Sequence, residues 1–201
     1  MTVSLVAYGL GNLGSVVNML KRVGAEPRIV STADEVLSSE RLLLPGIGAF
    51  DSGMRLLEEQ ELAPAIKEFA STGKPLLGIC LGMQLLLGSS EEGVMPGLGL
   101  IPGKSVRFAE GHGLRVPHMG WNEVTPARED PLVSGLDSQS RFYFVHSYHV
   151  VPDSDSHVLG LTEYGGLFAS MIRNENVMGA QFHPEKSHAF GKQLLTNFSQ
   201  L

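Results

Sequence analysis

A chain of 201 residues with 43% hydrophobic and 18% charged side chains can bury a sizeable core, which excludes a disordered tail, a disulfide-stapled miniprotein and a collagen-like repeat. Fifteen Lys and Arg against 21 Asp and Glu leave a formal charge of -6, the wrong sign for a surface that follows phosphate backbones, so no nucleic-acid partner is expected. One cysteine cannot close an internal disulfide and the first residues do not read as a secretory leader, so a reducing, cytoplasmic setting is expected.

Val3 to Tyr8 is a short apolar run ending in glycines, and Ser15 to Val23 repeats its apolar positions at helical spacing, which reads as strand, loop, helix. Pro27–Val30 and Arg41–Leu44 read as the next strands. Leu56 to Phe69 carries two helical pieces, with Pro64 near a helix start. Pro75–Ile79 is another buried strand, and Met83–Leu87 opens a helix. The apolar stretch from Pro75 to Gly88, interrupted by Gln84, falls short of the ~20 residues that span a bilayer, so no membrane segment is expected. Strands that are apolar throughout and alternate with helices predict a parallel sheet covered on both faces.

Beyond Gly88 the chain turns rich in glycine and proline. Val106–Phe108, Trp121–Val124, Arg141–Val145, His149–Val151, Leu167–Ile172 and Val177–Phe182 read as strands, and Gly191–Phe198 as a closing helix. The expectation is an α/β fold, flavodoxin-like and doubly wound, with a mostly parallel sheet, helices on both faces and an antiparallel extension of the same sheet in the C-terminal half. No linker, repeat or low-complexity segment divides it, so residues 1–201 are expected to form one domain.

Gly78-Ile79-Cys80-Leu81-Gly82 lies where a buried strand meets a helix and has nucleophile-elbow spacing with cysteine in place of serine. Glycines two positions either side remove the side chains that would collide in so sharp a turn, and free helix N–H groups beside the sulfur favour a thiolate. A lone free cysteine is ordinarily a small buried hydrophobe; the flanking glycines tip the reading toward catalysis. A cysteine nucleophile needs a base and an acceptor to orient it. In Gln181-Phe182-His183-Pro184-Glu185-Lys186-Ser187, His183 can face Cys80 while Glu185 fixes its tautomer. Donors for a tetrahedral oxyanion are expected from the Leu81 N–H and from the glycine-rich loop Pro45-Gly46-Ile47-Gly48-Ala49-Phe50, through Ile47 or Gly48.

These three segments, in this order, resemble the triad-type (class I) glutamine amidotransferases over essentially the whole chain. Tyr8-Gly9-Leu10-Gly11-Asn12-Leu13, Pro117-His118-Met119-Gly120-Trp121-Asn122 and Phe144-Val145-His146-Ser147-Tyr148 look like one branch, the glutaminase subunits of imidazole glycerol phosphate synthase. The resemblance implies a triad of Cys80, His183 and Glu185 that releases ammonia from glutamine. It implies that Gln84 recognises the amino-acid end of the substrate, with backbone near Gly48 and around His146, Ser147 and Tyr148. It also implies a heterodimer with a (β/α)₈-barrel cyclase subunit, faced by Asn12, Trp121, Tyr143 and Lys186, and no cofactor. Relatives elsewhere in the superfamily carry consecutive glycines in the oxyanion loop, where this chain has Pro45-Gly46-Ile47-Gly48. An amide misoriented at rest, and turned when the cyclase is loaded, is the corresponding expectation.

Other readings compete. Gly9-Leu10-Gly11-Asn12-Leu13-Gly14 has the spacing of a dinucleotide fingerprint, but Val30 is followed by Ser31 and Thr32 where an acid for the ribose hydroxyls is expected, and Asp34 comes later. A non-catalytic flavodoxin-like docking module, and the vitamin B6 branch of the amidotransferases, are the other two; Pro117 to Asn122 argues against the latter. A metal site has little support, because His112, His118, His183 and His188 stand in polar or glycine-rich stretches with no cysteine nearby.

Overall fold

The computed structural model describes residues 1–109 and 114–201. The first half runs β1 (Thr2–Val6), α1 (Leu13–Arg22), β2 (Glu26–Val30), α2 (Ala33–Leu37), β3 (Leu42–Gly46), α3 (Phe50–Glu59), α4 (Leu62–Ser71), β4 (Leu76–Cys80) and α5 (Leu81–Leu85). The second half runs β5 (Ser89–Ser90), β6 (Gly103–Arg107), β7 (His118–Glu123), β8 (Thr125–Pro126), β9 (Arg141–His146), β10 (Tyr148–Pro152), β11 (Val158–Glu163), β12 (Leu167–Asn174), β13 (Val177–Ala180) and α6 (His188–Gln200).

The main sheet has the order β2-β1-β3-β4-β13-β12-β10-β6-β5, with β11 and β8 branching from β12. From β2 to β13 neighbours are parallel; β13, β12, β10 and β6 then pair antiparallel. The period-2 rule sorts the apolar runs onto two faces. Leu42, Leu44 and Leu76 pack with Phe50, Leu57, Ile66 and Phe69 of α3 and α4. Leu43, Leu77 and Ile79 face the other way, against Val16 and Leu20 of α1 and Leu194, Leu195 and Phe198 of α6.

Local chemistry sets several boundaries. The Asn12 side chain accepts from the Ser15 N–H to start α1, and Lys21 and Arg22 stand in its last turn, where the dipole favours cations. Thr32 and Glu35 form a reciprocal capping box that starts α2, a helix the periodicity did not announce because Val36 is the residue it buries. Glu61, at φ 56, separates α3 from α4 and places Pro64 in the first turn of α4. The helix expected over Met83–Leu87 begins earlier, at Leu81, directly after the cysteine.

One expectation is corrected. Trp121–Val124 and Arg141–Val145 do not extend the main sheet. Among the described residues, β7 and β9 pair only with each other, Trp121 opposite Tyr143 and His118 opposite His146, in a separate two-stranded sheet. Phe142 and Phe144 alternate inward from β9 onto the α1/α6 face. Alternation in sequence fixes which side of a strand is buried, and says nothing about which sheet it joins.

Candidate active site

The site lies at the carboxyl edge of the parallel strands, where an open α/β sheet presents its crevice. Gly46 pairs with Cys80 across β3 and β4, and Ala180 with Ile79 across β4 and β13, so three loops emerge side by side. Cys80 has φ 55 and ψ -112, a strained conformation for a residue with a side chain. The reversal into α5 brings backbones so close that a Cβ at Gly82 would stand 1.9 Å from the Leu44 carbonyl oxygen, and one at Gly78 would stand 2.6 Å from the Gly82 carbonyl oxygen. Both glycines are therefore required by space. Because α5 is so short, it is the unpaired N–H groups of its first turn, rather than a long macrodipole, that act beside the sulfur.

His183 follows β13, with its backbone N–H donating to the Tyr143 carbonyl and its own carbonyl accepting from the Ser187 hydroxyl. Its Nδ1 stands 2.8 Å from Glu185 Oε1, with both side chains almost wholly buried. A carboxylate accepts, so Nδ1 carries the hydrogen and Nε2 is left as the group that can serve the thiol. Nε2 is buried with no completed hydrogen bond. Burial would lower the imidazole's pKa, but the nearby Cys80 sulfur and then the Glu185 carboxylate outweigh it, and the pKa rises from 6.5 to about 9. The bond to sulfur is thus felt electrostatically without being geometrically formed, as is common for catalytic pairs without substrate.

A cavity of about 330 Å³ opens on this pair. It gathers Cys80 and Leu81 from the elbow, Ile47 and Gly48 from the loop after β3, Gln84 from α5, His183, and the Val145–Tyr148 segment between β9 and β10. A larger depression of about 690 Å³ along residues 126–136 holds neither cysteine nor histidine, and the chemistry is not there. Gln84 Nε2 donates to the Tyr148 carbonyl at 3.0 Å and to Gln181 Oε1 at 3.1 Å, which fixes the amide's orientation and leaves Oε1 as the atom it can offer a ligand. Gln181 Nε2 in turn stands 3.9 Å from Cys80 Sγ. Gly48 has φ 103 with nothing near its Cβ position, so glycine serves there for backbone freedom and not for space.

Every residue expected in the catalytic, oxyanion and substrate groups borders this cavity except Glu185, which reaches it through His183. Of the residues expected to face a partner, Trp121, Tyr143 and Lys186 form one patch. Trp121 meets Tyr143 edge-on at 6.0 Å, the Lys186 ammonium lies 5.5 Å from the Tyr143 ring centre, and Trp121 keeps 43% of its surface exposed. Asn12 is exposed and caps α1, in a loop whose Gly11 abuts Pro45. Of the histidines weighed as metal ligands, His183 is held by Glu185, His118 pairs with His146, and His188 stacks on Trp121. His112 lies outside the described residues.

Two residues in the site had no local signal. Glu92, in a polar turn after β5, lines the cavity and accepts from the Phe50 N–H at 2.8 Å through Oε2. Its turn is held by Asp51, which accepts from the N–H groups of Val94 and Met95. Tyr8 is fully buried with an unpartnered hydroxyl lying against Gly46, and burial, then the Cys80 charge, push its pKa up, so it stays a neutral phenol.

A strained cysteine elbow, a carboxylate-held histidine and a loop of glycines come together at the ends of parallel strands, an arrangement that can carry cysteine-dependent acyl transfer. Residues 5–200 match the family described as glutamine amidotransferase class-I, and the chain belongs to that family. It is 48% identical over 198 residues to imidazole glycerol phosphate synthase subunit HisH 2 of Pseudomonas aeruginosa, covering 98% of both chains. It is 44% identical over 197 residues to the protein of the same name from Methanococcus maripaludis, again covering 98% of each. Among solved structures it matches PurLQS from Thermotoga maritima with a TM-score of 0.77 and 22% identity, over 98% of this chain and 96% of that one. A glutamine amidotransferase from the same organism gives a TM-score of 0.66 at 16% identity, over 92% of this chain and 76% of that one. At those identities the solved structures share the fold.

Proposed function

We propose that this chain is the glutaminase subunit of an imidazole glycerol phosphate synthase. It hydrolyses L-glutamine to glutamate and ammonia, and passes the ammonia to a (β/α)₈-barrel cyclase subunit that makes imidazole glycerol phosphate and AICAR in histidine biosynthesis. Relatives of that name align over nearly all of both chains, which supports the assignment. The chain acts as one class I domain in the cytoplasm, and among its described residues no helix is long and apolar enough to cross a membrane.

The observation that carries the chemistry is the imidazole of His183, locked through Nδ1 by Glu185 at 2.8 Å with Nε2 left to serve Cys80. His183 Nε2 takes up the thiol proton, which its raised pKa favours, and Cys80 Sγ then attacks the side-chain amide carbon. The carbonyl electrons move onto oxygen, which the Leu81 N–H and an amide of the Ile47–Gly48 segment stabilise. Collapse breaks the C–N bond, His183 returns the proton to the leaving nitrogen, and ammonia departs from a thioester. Water, deprotonated by the same Nε2, then attacks the thioester to give glutamate and the free thiol. Gln84 Oε1 and the Glu92 carboxylate face the α-ammonium group, since both are acceptors on the cavity wall. Trp121, Tyr143 and Lys186 form the docking patch for the cyclase, with Asn12 at its edge. At Gly48 the positive φ lets the oxyanion peptide turn at low cost, so cyclase loading with its nucleotide substrate switches glutaminase activity on.

The test mixes this chain with the cyclase and measures glutamate release with and without the nucleotide substrate. Cys80→Ala should still assemble and release no glutamate above background. A Cys80→Ala complex that retains coupled glutaminase activity would overturn the assignment of the nucleophile. Glutamate release by the chain alone at the rate of the loaded complex would overturn the switch.

A further inference from the structure

On the wall of the glutamine cavity, His146 meets a second buried histidine, His118, that stands behind it. His118 Nδ1 lies 3.0 Å from His146 Nε2, His146 Nδ1 lies 2.8 Å from the Tyr148 carbonyl oxygen, and Asn122 Nδ2 lies 3.2 Å from His118 Nε2. His146 and Tyr148 border the cavity; His118 does not. His118 is sandwiched between Tyr164 at 3.9 Å and Phe144 at 4.6 Å.

Hydrogen-bond chemistry permits one arrangement of protons. A carbonyl only accepts, so His146 carries its hydrogen on Nδ1 and offers a lone pair at Nε2. His118 must then donate from Nδ1, which leaves its Nε2 to accept from the Asn122 amide. That amide cannot be flipped, because the same Nδ2 also donates to the Glu163 carbonyl at 2.9 Å while Oδ1 accepts from the Glu123 N–H. Burial lowers both imidazoles, to about 4 for His118 and about 3 for His146, so both are neutral at neutral pH. Each is held as the Nδ1–H tautomer, the one that free neutral histidine disfavours, which shows how tightly the surroundings dictate it.

The far end of this chain is the Tyr148 carbonyl, which receives both the His146 Nδ1–H and the Gln84 Nε2–H at 3.0 Å. We propose that His118 is a positioning residue for glutamine recognition: with His146 it forms a single-tautomer relay that pins the Tyr148 carbonyl and, through it, the Gln84 amide whose Oε1 faces the substrate. The proposal rests on the glutamine seat described above. Without the His118 donor, His146 Nε2 is a buried acceptor with no partner, and its ring gains a reason to rotate or change tautomer, which releases Tyr148 and Gln84 together.

The experiment uses the assembled synthase and three proteins: wild type, His118→Phe, which keeps an aromatic ring between Tyr164 and Phe144, and His118→Gln, whose amide can restore a donor to His146. Long-range ¹⁵N spectra of histidine-labelled wild type should show both rings as Nδ1–H tautomers. His118→Phe should raise the KM for glutamine about tenfold, the size of one lost neutral hydrogen bond, with kcat changed less than about threefold. His118→Gln should recover most of that loss. An Nε2–H tautomer at either ring in wild type, an unchanged KM in folded His118→Phe, or equal impairment of the Phe and Gln variants would each overturn the relay. Should His118→Phe fail to fold, the wild-type spectra and the KM of His118→Gln decide. The spectra do not depend on turnover, so failure of the relay is distinguishable from failure of the glutaminase assignment, which the Cys80→Ala complex reads.

Discussion

Replacing Glu185 with Gln preserves shape and removes charge, and so measures what the carboxylate contributes to the catalytic imidazolium. His183 titrates at about 9 against an ordinary 6.5 even though burial works against it. At about 1.36 kcal/mol per unit, the Cys80 sulfur and the Glu185 carboxylate together favour the charged ring by roughly 3 kcal/mol beyond what burial removes. The sulfur contributes more than the carboxylate, and a hydrogen bond to a charged partner contributes about 1.5–3 kcal/mol, so Glu185 supplies the smaller share, about 1.5 kcal/mol or somewhat more. In Glu185→Gln the ring takes up the thiol proton less readily, and that share of the energy is lost in reaching the transition state from thiol and neutral ring. The expected result in the assembled synthase is a fall in kcat of roughly 10- to 100-fold. In ¹⁵N titrations the His183 pKa should drop by about one unit or more. Stability follows with a definite sign. A folded-state pKa above the unfolded one gives a contribution that is complete below about pH 6.5 and is lost as pH rises through about 9. Thermal denaturation should therefore separate Glu185→Gln from wild type most near pH 6 and least near pH 10. A variant with kcat within twofold and His183 still titrating near 9, or a stability gap that widens with pH, would refute this account.

Three further outcomes are expected. Gly82→Ala would place a methyl group 1.9 Å from the Leu44 carbonyl oxygen, and relief of that clash should cost about 3 kcal/mol and roughly 5–10 °C of melting temperature in calorimetry; a shift under about 1 °C would mean the elbow is looser than described. Glu92→Gln keeps an acceptor for the Phe50 N–H while losing the charge opposite the α-ammonium, so the glutamine KM should rise about tenfold at nearly constant kcat; an unchanged KM would remove Glu92 from the substrate seat. Trp121→Ala should weaken cyclase binding by about 2 kcal/mol, roughly 30-fold by titration calorimetry, and leave the melting of the uncomplexed chain unchanged; full affinity would place the interface elsewhere.

The legible part of the site was the part with local geometry. Gly78 and Gly82 stand two positions from Cys80 because the reversal leaves no room for a Cβ, so the elbow could be read from spacing alone. The stretch from His183 to Glu185 places an imidazole and its carboxylate acceptor in one tight turn, and that pairing too was readable. The Gly9 to Gly14 run shows the limit of such reading. Its spacing matched a dinucleotide fingerprint, yet Asn12 caps α1, Gly11 lies against Pro45 beside the oxyanion loop, and the chain as a whole matches the amidotransferases. Glu92 was invisible because its reason for being there is the N-terminus of α3, more than forty residues away, where Phe50 donates to it and Asp51 holds its turn.

By itself the sequence determined the continuous apolar strands, the helices between them, the glycine-flanked turn at Cys80 and the His183–Glu185 turn, because each follows from contacts between residues near in the chain. It could not assign β7 and β9 to a sheet of their own, put the Tyr8 hydroxyl against Gly46, or join His118 to His146. Those outcomes depend on which surfaces meet when the sheet closes over its helices. A buried hydroxyl or imidazole carries no periodic signature, and its partner is chosen by the packing of distant strands.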